Sequence, residues 1–390
     1  MNDEIFVKSF SDNTVKELEN IGFSREYLYF AKDKFDFYKL KIFNLSPAEA
    51  NILKQTCLSL GFDCAVNRYA VNCRCESSDA LLTPTAEQLA KLTEKLKIQP
   101  FRLNDLSEKL EKIINPQKSY LIKDRTFDRK KTYIMGILNV TPDSFSDGGM
   151  FYDTENAVNR AFSMIEEGAD IIDIGGESTN PNATLISDEE EIKRVIPVLS
   201  KIREKDKKII ISVDTRHPET IKQSIYAGAD ILNTVVDIRN FESVFDVLAE
   251  HKTPVIITHS DDIPPKTVEK DFDGDITDEI YKYFVKIQNY LKTTVLKDNL
   301  LIFDVGIGFG KSINDQFEIV KRAEEFLTLA YPILFGISRK SFIWKTFGKE
   351  NRDKITQMYS EYLMLKGIDI LRVHDVQAHV LMRDYLSKIM

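Results

Sequence analysis

The 390-residue chain is 43% apolar and 29% charged, with a net charge of -8. That balance allows a large core, excludes long disordered tracts, and argues against nonspecific binding to nucleic acid or an anionic membrane. No run approaches ~18 apolar residues, so no membrane span is expected, and the first residues lack the pattern of a secretory signal. Cys57, Cys64, Cys73 and Cys75 all fall early in the chain and read as free thiols in a reducing, cytoplasmic setting. The Cys73–Arg74–Cys75 spacing is too tight for a common zinc site.

Residues 1–118 read as a small α+β domain. A strand is expected over 4–7. A helix over 13–21 carries Val15, Leu18 and Ile21 and stops at Gly22. A strand over 37–42 follows. Ser46, Pro47 and Glu49 open the next helix with a capping box, and Gly61 ends it. A strand over 64–71 precedes a helix over 85–96 with Leu89, Leu92 and Leu96 on one face, then a last helical stretch over 100–114. No histidine lies in this part, and no catalytic grouping is visible. Periodicity fades and charge rises after residue 115, so 119–131 reads as a linker.

From residue 132 to 390 the pattern changes. Apolar runs at 133–138, 170–174, 208–213, 230–232, 254–258, 300–303, 332–335 and 368–373 alternate with helical stretches. A weak repeat marks several junctions: Gly168-Ala169-Asp170, Gly228-Ala229-Asp230 and Gly367-Ile368-Asp369 each sit where a helix stops and a strand starts. Eight βα units at roughly 30 residues each imply a (β/α)8 TIM barrel, with a doubly wound open sheet as the alternative. In a barrel, functional residues belong at the carboxyl ends of the strands.

Those ends carry a distinctive set. The first run leads into a polar, Gly-rich loop with Asn139, Thr141, Asp143, Ser144 and Asp147. The second ends in Gly175-Gly176-Glu177-Ser178-Thr179, the third in Asp214-Thr215-Arg216, the fourth in Asn233 and the fifth in His259. The sixth leads into Asp304 and a loop through Phe309 to Lys311. The seventh is followed by Ser338-Arg339-Lys340-Ser341, and Arg372, His374 and Asp375 close the set. Ser338 to Ser341 precede a helix and supply hydroxyls, a lysine and free backbone N–H groups, which suits phosphate. Arg372 and His374 on the adjoining strand suit the same anion. Asp214, Asn233 and Asp304 suit a flat heterocycle rich in N–H donors. Taken singly, each has a plainer reading. Asp214 fits a helix N-cap, Arg339-Lys340 fits a solvated face, and Glu177 with Arg216 fits a supporting ion pair. Their convergence on one rim favours a binding site.

Residues 134–149 (IMGILNVTPDSFSDGG) and 168–181 (GADIIDIGGESTNP) closely resemble the two signatures of dihydropteroate synthases. Further matches are Ser212-Val213-Asp214-Thr215, residues 304–311 (DVGIGFGK), 336–342 (GISRKSF) and Arg372-Val373-His374-Asp375. The resemblance covers roughly residues 130–390. It implies condensation of 4-aminobenzoate with 6-hydroxymethyl-7,8-dihydropterin diphosphate, with release of pyrophosphate, and hence competition by sulfonamides. It further implies that Asp214, Asn233 and Asp304 hold the pterin edge while Lys340 reaches its carbonyl side. Arg372 would lie over the ring and, with His374 and Asn139, bind the diphosphate. Asn139 would ligate Mg2+. Thr179, Phe309 and Ser341 would border the aminobenzoate, and Phe145 and Asp143 would lie in a closing loop. Lys340, Arg372 and His374 would be the catalytic cations, and the assembly a homodimer.

The chain departs from the family pattern at Asn180, usually arginine, at Thr234, usually aspartate, at Thr258, usually methionine, and at Val305, usually proline. Two other readings stay open. A related pterin-binding methyltransferase would share the Asp/Asn set but lack the Ser338–Lys340 and Arg372–His374 residues. A pterin-binding protein with lost or altered turnover would account for Asn180.

Overall fold

The computed structural model describes residues 14–24, 26, 28–141, 149–177, 186–235, 237–260 and 274–389. The chain divides into two units, Met1–Pro116 and Gln117–Met390.

In the first unit, strands β1 (Leu40–Leu45), β2 (Cys64–Val66) and β3 (Ser78–Leu82) form an antiparallel sheet with β3 in the middle. Helices Pro47–Ser59, Ala86–Leu96 and Leu103–Ile114 supply Leu53, Leu89, Leu92, Leu96 and Leu110 to its core. The capping box at Ser46 forms as expected. Glu49 donates its backbone N–H to Ser46 Oγ at 3.3 Å and accepts the Ser46 backbone N–H at 2.8 Å. Glu49 is also gripped by Arg102 at 2.6 Å, and that hydrogen bond lowers its carboxyl pKa to about 2. Three expectations differ. The strand expected over 37–42 runs over Leu40–Leu45, the one expected over 64–71 stops at Val66, and the central strand β3 was not foreseen. Its alternation is clear in the structure, with Ser78, Ala80 and Leu82 buried. A serine in one of the three inward positions hides that pattern in the sequence. The strand expected over 4–7 lies outside the described residues.

In the second unit eight parallel strands close into a barrel: β6 (Tyr133–Asn139), β7 (Ile171–Gly175), β8 (Ile210–Asp214), β9 (Ile231–Thr234), β10 (Val255–Thr258), β11 (Leu301–Asp304), β12 (Ile333–Phe335) and β13 (Ile370–Val373). This is the expected (β/α)8 architecture. Side chains alternate between two faces. Ile134, Ile172, Ile211, Leu232, Ile257, Phe303, Phe335 and Leu371 face the surrounding helices. Met135, Ile171, Ile210, Ile231, Ile256, Ile302, Leu334 and Ile370 pack together as the apolar floor of the barrel interior.

The stretch expected as a linker is instead part of this floor. Residues 119–128 form a hairpin of β4 (Ser119–Ile122) and β5 (Arg125–Asp128), and Tyr120, Ile122 and Phe127 pack with the floor residues. Its charge, which reads as solvated in sequence, has buried partners. Arg125 reaches Asp170 at 2.6 Å, Lys123 reaches Asp230 at 3.1 Å, and Arg129 reaches Asp369 at 2.9 Å. These are the three aspartates of the repeat. Each also accepts a backbone N–H from a preceding strand, Ile134, Ile211 and Ile333 respectively, at 2.9–3.0 Å. The repeat therefore marks sockets where one carboxylate ties two strands and one cation of the hairpin together. Among the described residues no helix is long and apolar enough to cross a membrane.

Asp369 is 1% exposed, so removing its cation strands a buried carboxylate. Arg129→Met is expected to destabilise the protein by about 3 kcal/mol. Lys130→Met, at an exposed neighbour, is expected to change stability by less than about 0.5 kcal/mol. Denaturant unfolding of both variants checks this.

Candidate active site

Two residues beyond each floor position, the barrel interior turns polar. Those positions hold Ile137, Asp173, Ser212, Asn233, Thr258, Asp304, Gly336 and Arg372. The next inward step on several strands brings Asn139, Asp214, Ser338 and His374 toward the mouth. The strand period of two thus stacks a polar tier on an apolar one.

The centre of this tier is an ion-paired cluster. Arg372 donates from Nε to Asp173 at 2.6 Å and from a terminal nitrogen to Asp214 at 2.8 Å. Asn233 Nδ2 donates to both oxygens of Asp173, at 3.2 and 3.4 Å. Asp173 is fully buried. It orients both the guanidinium and the carboxamide, and because a carboxylate only accepts, it turns Asn233 Oδ1 away from itself. Asp214 is therefore no helix cap: His217 occupies that position before Pro218–Tyr226. Glu177 and Arg216 do form the supporting ion pair, at 2.6 Å.

Asp304 accepts the backbone N–H of Gly306 at 2.9 Å. The loop behind it is locked by Lys311, whose Nζ donates to the carbonyls of His259, Gly306 and Phe309 at 2.9–3.2 Å. Gly306 is obligatory here. Its φ is +69°, and a Cβ would stand 1.9 Å from the His259 carbonyl oxygen. The loop delivers Phe309, over whose ring Lys340 Nζ sits at 4.6 Å. Lys340 itself is the N-cap of the helix Ser341–Phe347, with Ser341 half-buried beside it. Arg339 turns outward to Asp353 at 2.8 Å and does not join the site. Ser338 Oγ accepts the His374 backbone N–H at 3.3 Å and lies 2.9 Å from His374 Nδ1.

Burial sets the charge states. It pushes the Asp214 carboxyl up to about 7, against the pull of Arg372, and it also raises Asp304. It lowers the Lys340 ammonium to about 8, against the pull of Asp304. Burial, with Arg339, Arg372 and Lys340 nearby, lowers His374 to about 3. His374, expected as a cation, is therefore neutral at pH 7 and serves as a hydrogen-bonding group. Three buried polar atoms facing this interior, Ser212 Oγ, Asn233 Oδ1 and Thr258 Oγ1, have no hydrogen-bond partner among the described residues. Such atoms are costly unless something fills them.

Of the residues singled out in sequence, the barrel gathers Asp214, Asn233, Asp304, Phe309, Lys340, Ser341, Arg372 and His374 at its mouth, with Asn139 exposed at its edge. Thr179, Phe145 and Asp143 lie outside the described residues. Sequence reasoning missed Asp173 and Ser212, and it noted Thr258 only as a departure. Counting two from the floor residue of each strand finds all three.

A family model of pterin binding enzymes matches residues 135–374. The chain belongs to the pterin-binding enzyme family. It is 41% identical over 261 residues to a dihydropteroate synthase of Streptococcus pyogenes serotype M3, covering 66% of this chain and 95% of that protein. It superposes with a TM-score of 0.64 on a dihydropteroate synthase of Xanthomonas albilineans solved with 4-aminobenzoic acid, at 33% identity, covering 70% of this chain and 98% of that one. A probable bifunctional folylpolyglutamate synthase/dihydropteroate synthase of Halobacterium salinarum is 39% identical over 342 residues. That match covers 85% of this chain, more than the barrel unit alone occupies, and the chain spans 40% of that relative's length.

The Asp214 carboxyl binds a proton at about pH 7 when folded, against 3.8 as its ordinary value. Between those values the folded state holds more protons than the unfolded one, so stability falls as pH rises from about 4 through 7. Asp214→Asn is expected to lose that slope, leaving a difference on the order of 2 kcal/mol between pH 5 and pH 8. Denaturant unfolding of the ligand-free proteins across this range measures it.

Proposed function

We propose that this chain is a dihydropteroate synthase, joining 4-aminobenzoate to 6-hydroxymethyl-7,8-dihydropterin diphosphate to give 7,8-dihydropteroate and pyrophosphate. The observation that carries the reading is the buried tier of unfilled hydrogen-bonding groups. Asn233 Oδ1 stands there without a partner among the described residues; with the carboxylates of Asp214 and Asp304 beside it, it suits the amino and ring N–H groups of a pterin, and Lys340 suits the pterin carbonyl oxygen. The Streptococcus and Xanthomonas relatives carry the same activity in their names, and the Xanthomonas protein was solved with 4-aminobenzoic acid.

The chemistry then needs little beyond position and charge. The bond from the methylene carbon to the diphosphate oxygen breaks, and the carbon gains positive character that the electron-rich ring spreads. The aminobenzoate nitrogen forms the new bond and sheds a proton. Arg372 and Lys340 offset the charge that develops on the leaving group, and neutral His374 donates a hydrogen bond to it. Phe309 and Ser341 border the aminobenzoate.

Magnesium fits as an ion carried on the substrate. Among the described residues no group of three or more His, Cys, Asp or Glu side chains can hold a metal, whereas the exposed Asn139 offers one hard oxygen at the mouth. Asn139 would hold the ion through its side-chain oxygen, and the ion would supply positive charge against that of the diphosphate. A homodimer is supported by exposed apolar residues on two packed helices: Met358, Tyr362 and Leu365 on Arg352–Leu365, and Leu381, Tyr385 and Ile389 on Val376–Ile389. A reducing, cytoplasmic location is supported by the four free cysteines.

Lys340→Ala removes a cation that both holds the pterin and faces the leaving group. Its kcat/KM for the dihydropterin diphosphate is expected to fall at least ~100-fold, measured as pyrophosphate release. Unchanged kcat/KM would contradict the roles given to Lys340.

A further inference from the structure

The Thr258 hydroxyl stands buried and unpartnered in the polar tier of the site. Thr258 is 1% exposed, and its Oγ1 has no hydrogen-bond partner among the described residues. Its direction follows from the strand. Ile256, two residues earlier, packs in the floor, and Ile257 packs among the helices. Thr258 therefore faces the barrel interior in the polar tier. In register it stands beside Asp304, and Asn233 lies across the β9–β10 pairing, next to Ile256. Both neighbours present acceptors inward. Asn233 must point Oδ1 away from Asp173, which takes its amide hydrogens. Asp304 is a carboxylate whose Oδ2 looks toward Gly336, where no side chain fills the space. Between two acceptors, the hydroxyl is the natural donor. The three strands thus offer acceptor, donor, acceptor in order. The complementary ligand edge is donor, acceptor, donor: a ring nitrogen with a lone pair between two N–H groups, as on one edge of a 2-aminopyrimidine fused to a reduced ring.

We propose that Thr258 is a substrate-binding residue whose hydroxyl donates a hydrogen bond to the unprotonated pyrimidine nitrogen of the bound pterin, between the two N–H groups held by Asn233 and Asp304. This rests on the reading of the site as a pterin site. It gives the chain a polar contact at a position where the family usually carries methionine, whose thioether cannot donate. The contact discriminates among heterocycles. A ligand with carbon or N–H in place of that nitrogen leaves the hydroxyl unfilled in a water-poor interior, and a site built to hydrogen-bond rejects such analogues strongly.

The experiment is calorimetric titration of the full chain and its Thr258→Val and Thr258→Ser variants with 6-hydroxymethyl-7,8-dihydropterin diphosphate, and with the analogue carrying C–H in place of the pyrimidine nitrogen. Valine keeps the shape and removes the hydroxyl; serine keeps the hydroxyl. Valine is expected to weaken binding of the pterin about tenfold, and serine by less than about threefold. The deaza analogue is expected to bind wild type and Thr258→Val equally. If the wild type binds the pterin and Thr258→Val binds it as tightly, the contact is overturned while the site reading stands. It is likewise overturned if valine weakens the pterin and the deaza analogue alike, since the loss is then one of shape. If the wild type binds no pterin, the site reading falls and the contact falls with it.

Discussion

Arg372, clamped between Asp173 and Asp214 inside the barrel, is the interaction on which the rest of the site depends. A guanidinium and two carboxylates in a water-poor interior are stable only when each fills the hydrogen-bonding capacity of the others. Here Asp173 does so for Arg372 and Asn233 together. It thereby fixes which atom of Asn233 faces the ligand. Asp214, with one oxygen on Arg372, and Asp304, with one on the Gly306 N–H, keep acceptor capacity for something else. Three carboxylates face two cations in a medium that penalises every charge, which is why Asp214 is pushed up and Lys340 down. A planar ligand with N–H donors and a carbonyl oxygen relieves both.

The opposite end of the barrel uses similar chemistry for a different purpose. Asp170, Asp230 and Asp369 are buried carboxylates too, but each is filled by backbone N–H groups and by cations. Nothing is left over for a ligand. These sockets bind the hairpin of β4 and β5 beneath the apolar floor. The floor separates a saturated end, which stabilises, from an unsaturated end, which binds. That division matches the general assignment of stability and function in such barrels.

Much of this was legible in the sequence because buried parallel strands are nearly continuous apolar runs. The eight runs and their polar ends were readable, and Asp214, Asn233 and Asp304 stood out as strand-end residues. Asp173 did not, because it sits within Ile171-Ile172-Asp173-Ile174, where an acid reads as an interruption and not as an end. Thr258 and Ser212 are small and neutral, and only the inward parity of their strands gives them meaning. The hairpin over 119–128 was hidden by its charge, since Lys123, Arg125 and Arg129 find partners up to 240 positions away in the chain. His374 shows a further limit. Its place in the site was readable, but its neutral state depends on burial and on three cations brought near it by the fold.

The most direct test of the account is pyrophosphate release by the purified full chain with Mg2+ and dihydropterin diphosphate, measured with and without 4-aminobenzoate. A site that only positions the ring, offsets the leaving charge and orients the amine predicts release that depends strictly on 4-aminobenzoate and proceeds despite Asn180. Absence of release, with the pterin still bound by calorimetry, would contradict it, as would release at the same rate without the amine.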